Sequence, residues 1–260
     1  MLIPVRGGPH VEIPKSFLRS SLSACSFLTT LPVPGTSLGE DMRLPVTLPV
    51  VGAVLGALWA ALAALLSLWG APLVLRGGVM AVATLALTGG LHMDGLMDTC
   101  DALFSRRGRE ARLEILSDPR AGSFAVMGCV AVMMLKASSH AALLGRSSWL
   151  DVLHIALVPV WSRVGMGMML SWMPFARPGG LARAVGAGRG PGDMKILTVW
   201  CAALTGLSAA TGAWALPVIW GLSLLWWQRR CVATFGGVTG DLLGAFAEAS
   251  EALMLVALAA

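Results

Sequence analysis

From Val46 to its C-terminus the chain is a succession of apolar runs, each close to the length a helix needs to cross a bilayer, separated by short segments rich in arginine. About 20 apolar residues span the hydrocarbon core as an α-helix. Candidate spans read at roughly Val46–Trp69, Leu73–Leu91, Ala121–Leu144, Leu150–Met173, Ile196–Ala213, Trp214–Trp227 and Leu242–Ala260. The sixth is short, and Pro217 near its start predicts a tight hairpin or a tilted helix. The expected fold is therefore an all-α, polytopic membrane helical bundle of six to seven spans, a single domain over 1–260. Only 13% of the residues are charged, where soluble domains carry about 25%, so a soluble fold of this size is excluded.

The N-terminal region, 1–45, reads differently. Residues 1–15 are a loose polar start with no apolar core of a cleavable leader. Ser16–Leu31 mixes apolar with small polar residues and predicts an amphipathic or re-entrant helix, which the Leu-Pro-Val-Pro-Gly run at 31–35 breaks. The five cysteines, without a paired motif, imply neither a disulfide framework nor a zinc site.

Orientation follows from lysine and arginine. With the N-terminus in the cytoplasm, fifteen basic residues fall in inner segments, and only Arg76 and Arg146 fall outside. The positive-inside rule makes this the expected topology. The 92–120, 176–195 and 228–241 segments then share the cytoplasmic face. The net charge of +5 lies in these loops and does not point to nucleic acid.

Six of the fourteen acids lie between residues 94 and 118. Asp94, Asp98 and Asp101 are spaced by four and three, which on a helix places them on one face. Three like charges at a membrane boundary are costly unless a cation neutralises them. A hard divalent ion such as magnesium, which takes oxygen ligands and shares its shell with phosphates, fits that need. Gly95 leaves room for a ligand or a backbone to come close. His92 is a candidate base or ligand. Glu110 and Glu114 read as an exposed helix face, with Arg106 and Glu110 as an i, i+4 pair. Asp118 before Pro119 reads as a helix N-cap, and Arg120 follows in the first turn, where phosphate is favoured. Lys136 and Arg163 are charges inside spans, either functional or held in internal salt bridges. Asp241 rivals Thr239 as the cap of the last helix. Glu248 and Glu251 follow within that apolar helix and need a cation or a hydrogen-bonding partner.

The run Gly-Gly-Leu-His-Met-Asp-Gly-Leu-Met-Asp-Thr-Cys-Asp-Ala-Leu-Phe from Gly89, followed by Arg-Leu-Glu-Ile-Leu-Ser-Asp-Pro-Arg-Ala-Gly-Ser-Phe, resembles the cobalamin synthase family, the adenosylcobinamide-GDP ribazoletransferases. Segments at 27–35, 48–56, 176–182 and 236–248 resemble it in the same order. The family usually has Ala-Asp-Thr-Ala-Asp-Gly where Met97–Ala102 stands here, and often Lys-Asp-Ser-Arg at Ser117–Arg120.

The resemblance implies a magnesium-dependent transferase of the cell inner membrane, with its active-site loops cytoplasmic. It would join α-ribazole, or its 5′-phosphate, to adenosylcobinamide-GDP and release GMP. His92, Asp94, Asp98 and Asp101 are the expected catalytic residues, the three acids being the metal ligands. Arg106, Asp118, Arg120, Asp241 and Glu248 are the expected substrate-binding residues. The expected partners are these small molecules and membrane lipid, with no nucleic acid; an oligomer is compatible with the sequence. Two rivals remain at this stage. Asp98 to Arg106 echoes the first half of a CDP-alcohol phosphotransferase motif, although Ile115 stands where the second half needs glycine. A secondary transporter also fits many spans with buried charges.

Overall fold

The computed structural model describes residues 14–33 and 43–260, and every regular element among them is helical. The order is α1 (Pro14–Leu28), α2 (Leu44–Leu68), α3 (Leu73–Leu87), α4 (Leu91–Phe104), α5 (Arg109–Ile115) and α6 (Ser123–Gly145). Then come α7 (Trp149–Trp172), α8 (Leu181–Val185), α9 (Asp193–Ala210), α10 (Ala215–Phe235) and α11 (Gly240–Ala259). The expected N-terminal helix is present as α1, which begins at Pro14 inside the stretch 1–15 expected to be loose; residues 1–13 and, of the 31–35 breaker, 34 and 35 lie outside the described residues.

By length and apolarity α2, α6, α7 and α11 can each cross a membrane. The pair α3 and α4 adds a fifth crossing if their 93° bend is one broken span. The count of six to seven is thus reduced to four or five on this measure. Helices α9 and α10 fall short of it because α9 opens on Asp193 and Lys195 and α10 carries Arg229 and Arg230 in its second half. The expected sixth segment is longer than its sequence implied. It runs 21 residues, and Pro217 sits in its first turn, where the missing N–H has no helical partner to lose.

Two close helix contacts organise the bundle. In α2, Gly52 and Gly56 form a small-xxx-small stripe that lets the backbone of α7 approach. A Cβ at Gly52 would lie 2.6 Å from the Pro159 carbonyl oxygen, and one at Gly56 would strike that of Ala156. In α4, a Cβ at Gly95 would stand 2.8 Å from the carbonyl oxygen of Asp241, so this glycine draws α4 against the start of α11. The approach expected at Gly95 is therefore made by backbone. Large apolar side chains such as Val74, Val126, Met134, Val199 and Leu222 face outward, as lipid-facing residues do.

The basic segments gather at one end of the bundle. Arg43, before α2, pairs with Asp193 at the start of α9. Arg177 bonds Ser117 and the Leu113 carbonyl, and the Val238 N–H donates to Pro174 across a single β-bridge-like contact between Phe175 and Val238. At the other end, Arg76 donates to Leu66 and Arg146 to Leu258 and Ala259, closing the C-termini of α2 and α11, where a cation complements the helix dipole.

Candidate active site

The segment expected as a polar loop, 92–120, is mostly helix. Gly89 (φ +61°) and Gly90 (φ +75°) take consecutive left-handed conformations that end α3 and start α4. A side chain is disfavoured at both positions. Thr30 holds this corner by donating its N–H to the Leu87 carbonyl at 2.9 Å. The turn redirects the chain so that α4 packs against α6 and α11, with His92 and Asp94 in its first turn and Asp98 one turn later.

Four carboxylates line one open cleft of about 650 Å³, open space at its mouth included. Asp94 and Asp98 come from α4, Asp118 from the α5–α6 turn and Asp241 from the first turn of α11, with Met97, Leu116, Ser117, Pro119 and Ala121 completing the wall. Beside it lies a mainly apolar chamber of about 1020 Å³, open space at its mouth included. Its walls include Phe27, Leu28, Leu44, Leu48, Met166 and Phe175, with His92, Arg177 and Arg183 as polar contributions. Asp94, Leu116 and Asp241 line both spaces, so the acidic cleft and the apolar chamber are adjacent and share a wall.

Asp101 is not part of that wall. Its carboxylate accepts the N–H groups of Gly122 (2.6 Å) and Ala125 (3.0 Å), so it caps the N-terminus of α6 from a neighbouring helix. This is the task the sequence assigned to Asp118. Asp118 instead accepts from the backbone N–H of Arg120 (3.0 Å) and from its Nε (2.9 Å) and Nη2 (2.7 Å). Those bonds hold the Asp118 carboxyl down at about 2. Arg120 itself is solvent-exposed. At the other cap, Thr239 wins: its Oγ1 accepts from Leu242 N–H (3.3 Å) and donates to Asp241 Oδ2 (3.2 Å), orienting the carboxylate at the cleft.

Arg106 lies exposed in the turn after α4, with φ +55°. Because α5 begins only at Arg109, the helical pair expected between Arg106 and Glu110 does not form. Glu110 and Glu114 are exposed, as expected.

Glu248 is placed in the bundle interior. Lys136 of α6 donates to Glu248 (2.6 Å) and Glu251 (2.7 Å), both on α11. Arg163 of α7 pairs with Glu251, and its guanidinium also reaches Ser162 Oγ (2.7 Å) and His92 Nδ1 (3.1 Å). Lys136 and Arg163 are among the largest fully buried side chains described. The cation required by the two buried glutamates is thus supplied from inside the protein. Of the site residues, Arg177, Phe175 and Arg183 were missed by sequence reasoning; the Ala-Arg-Pro-Gly-Gly-Leu-Ala run that carries Arg177 was the available signal.

Among the described residues no three His, Cys, Asp or Glu side chains converge as a ready-made metal cage. The cleft nevertheless gathers hard carboxylate oxygens around Asp98, which feels the charges of Asp94, Asp241, Asp101 and Asp118. Magnesium is ordinarily held by one or two carboxylates, with waters and substrate phosphates filling its shell. The donor set therefore fits it without a closed protein cage.

The fold and this site define a polytopic helical membrane protein with an acidic cleft beside an apolar chamber. Residues 20–259 match the family model described as cobalamin-5-phosphate synthase. The chain belongs to that family, as its central motif led one to expect. It is 37% identical over 247 residues to the adenosylcobinamide-GDP ribazoletransferase of Pseudomonas aeruginosa, covering 93% of this chain and 98% of the relative. It is 38% identical over 256 residues to the protein of the same name from Klebsiella pneumoniae, covering 93% and 99%. With that from a Roseiflexus species the identity is 35%, over 90% and 87%. No solved structure matches the chain.

Proposed function

We propose that this protein is an adenosylcobinamide-GDP ribazoletransferase, joining α-ribazole or α-ribazole 5′-phosphate to adenosylcobinamide-GDP with release of GMP, to give adenosylcobalamin or its 5′-phosphate. The observation that carries the reading is the adjacency of the two spaces, which share Asp94 and Asp241 as wall. The acidic cleft suits a diphosphate brought in with a divalent cation. The apolar chamber suits the aromatic base of the ribazole.

Asp94, Asp98 and Asp241 would hold magnesium, while Asp101 serves α6. Magnesium, when bound, supplies charge neutralisation on the attacked phosphoryl group and on the departing GMP. The ribazole hydroxyl oxygen forms a bond to the cobinamide-bearing phosphorus. The bond from that phosphorus to the bridging oxygen breaks, and GMP leaves with the electron pair. The hydroxyl proton passes to a carboxylate of the cleft. Arg183 at the chamber wall is a candidate for a ribazole phosphate, because Arg177 is already engaged by Leu113 and Ser117. Arg106 and Arg120, exposed on neighbouring turns, are placed to attract the anionic substrate rather than to line the cleft.

We further place the site at the cytoplasmic face of the cell inner membrane. The support is the gathering of the basic segments at the end of the bundle that holds the cleft. The test is GMP release by the detergent-purified protein from adenosylcobinamide-GDP and α-ribazole, with magnesium and no ion gradient. Turnover that disappears on chelation and returns with magnesium is expected. Turnover of a CDP-alcohol instead, or none with the cobinamide substrate, would overturn the reading; activity without a gradient rejects a transporter.

A further inference from the structure

One buried polar group at the site has no partner in the protein. His92 is only 3% exposed yet contributes to the chamber wall beside Asp94. Its Nδ1 faces Nη2 of Arg163 at 3.1 Å, whereas its Nε2 makes no hydrogen bond. A guanidinium offers donors and no lone pair. Nδ1 must therefore accept, and the hydrogen of the ring sits on Nε2.

Arg163 has little freedom to do otherwise. Ser162 Oγ and Glu251 hold its Nη1, Lys136 holds Glu251, and Glu248 holds Lys136. Two cations and two anions from α6, α7 and α11 thus form a neutral set that ends on an α4 imidazole. A Cβ at Gly244 would stand 3.0 Å from the His92 Cα, so α11 packs closely against the α4 backbone that carries the ring. A buried N–H with no acceptor is rare and costly. His92 lines the chamber, so a ligand bound there can bring the acceptor.

We infer that Arg163 is a positioning residue that sets the His92 tautomer, so that His92 Nε2–H donates a hydrogen bond to a phosphoryl oxygen of the substrate diphosphate where chamber and cleft meet beside Asp94. His92 is then a donor to developing negative charge. It is not the base that takes the ribazole proton, since its one available lone pair is spent on Arg163. This inference rests on the phosphoryl-transfer reading above.

Two measurements decide it. The first is the nitrogen spectrum of 15N-histidine-labelled protein in detergent. His92 is expected to give a pyridine-type Nδ1 and a pyrrole-type Nε2 in the wild type, and Arg163→Met to mix the two tautomers. A pyridine-type Nε2 in the wild type overturns the assignment. Adding GDP with magnesium should move the Nε2–H resonance downfield, and an unmoved resonance overturns the donor role. The second measurement is turnover. His92→Gln can place an amide N–H near the position of Nε2 but cannot act as a base. It should lose about tenfold in kcat, against 10²-fold or more for His92→Ala, the usual loss for a donor to a developing oxyanion. Equal loss in both variants, or loss in neither, rejects the role. The tautomer measurement needs no turnover, so it stands even if the cobinamide substrate proves wrong.

Discussion

The Asp101 carboxylate lies 2.6 Å from the backbone nitrogen of Gly122, closing the exposed first turn of α6 from the last turn of α4. A helix N-terminus leaves N–H groups unsatisfied, and here an acid that looks catalytic in sequence answers that need. Asp101→Ala should therefore lower stability by about 0.5–2 kcal/mol, the range for a lost N-cap. Asp101→Asn, whose amide oxygen can still accept, should recover much of it. Thermal unfolding in detergent checks both. If Asp101→Asn keeps full stability yet has no turnover, the residue belongs with the metal ligands after all.

Asp98 is expected to behave in the opposite way. It makes no hydrogen bond to a helix end and sits among four other acids. Replacing it with Asn removes a like charge from a crowded cleft. Asp98→Asn should leave the melting temperature unchanged or raised, while GMP release falls by a factor of 10³ or so, as loss of transition-state charge stabilisation does. Wild-type turnover by this variant would reject Asp98 as a site residue.

How far the sequence reached can be judged from these acids. The helical period put Asp94, Asp98 and Asp101 on one face correctly, because spacing is a property of the helix alone. It could not say which neighbour each acid would meet. Asp101 meets α6, Asp94 and Asp98 meet Asp241, and Asp118 folds back on Arg120. Span boundaries were legible where apolar runs stop at charges, and misjudged where Gly89 and Gly90 bend the chain or where α10 carries Arg229 and Arg230 within its last turns. The need of Glu248 and Glu251 for a partner was evident from burial chemistry, but Lys136 lies more than a hundred residues away, and only packing names it.

That network makes a stability prediction. Lys136→Met leaves Glu248 without its cation at a site almost closed to water. Breaking a buried pair on one side costs about 3–5 kcal/mol, since an uncompensated charge stays behind. The double variant Lys136→Met with Glu248→Gln removes the stranded charge and should recover at least half of the loss in melting temperature. Additive losses in the double variant would show that the pair is not coupled.

The exposed pair at the cleft's rim gives a pH prediction. Hydrogen bonds from Arg120 hold the Asp118 carboxyl at about 2, below its ordinary value near 3.9. A depressed carboxyl contributes stability above its unfolded pKa and loses that contribution as pH falls through the folded value. The pair's contribution is therefore complete above about pH 4 and gone below about 2. Arg120→Ala should return the Asp118 titration, followed by carboxyl carbon resonances, to the ordinary range. An unmoved midpoint would mean that another group holds it.

Gly95 offers the sharpest test of how packing builds the site. A methyl group there would stand 2.8 Å from the Asp241 carbonyl oxygen and 2.9 Å from its Cα. Neither backbone atom can swing aside as a side chain can, so α4 and the start of α11 must separate. The separation acts directly on the distance between Asp94 and Asp98 on one helix and Asp241 on the other. Ala is also the better helix former by about 1 kcal/mol, which offsets part of the packing loss. Gly95→Ala should therefore cost turnover far more than stability. Magnesium titrated against turnover should show a weaker apparent affinity, because the carboxylates that share the ion no longer stand together. Gly78, where an added Cβ meets nothing within 4 Å, is the control: Gly78→Ala should leave turnover and magnesium affinity unchanged. If Gly95→Ala matches that control, the junction of α4 with α11 does not set the geometry of the cleft.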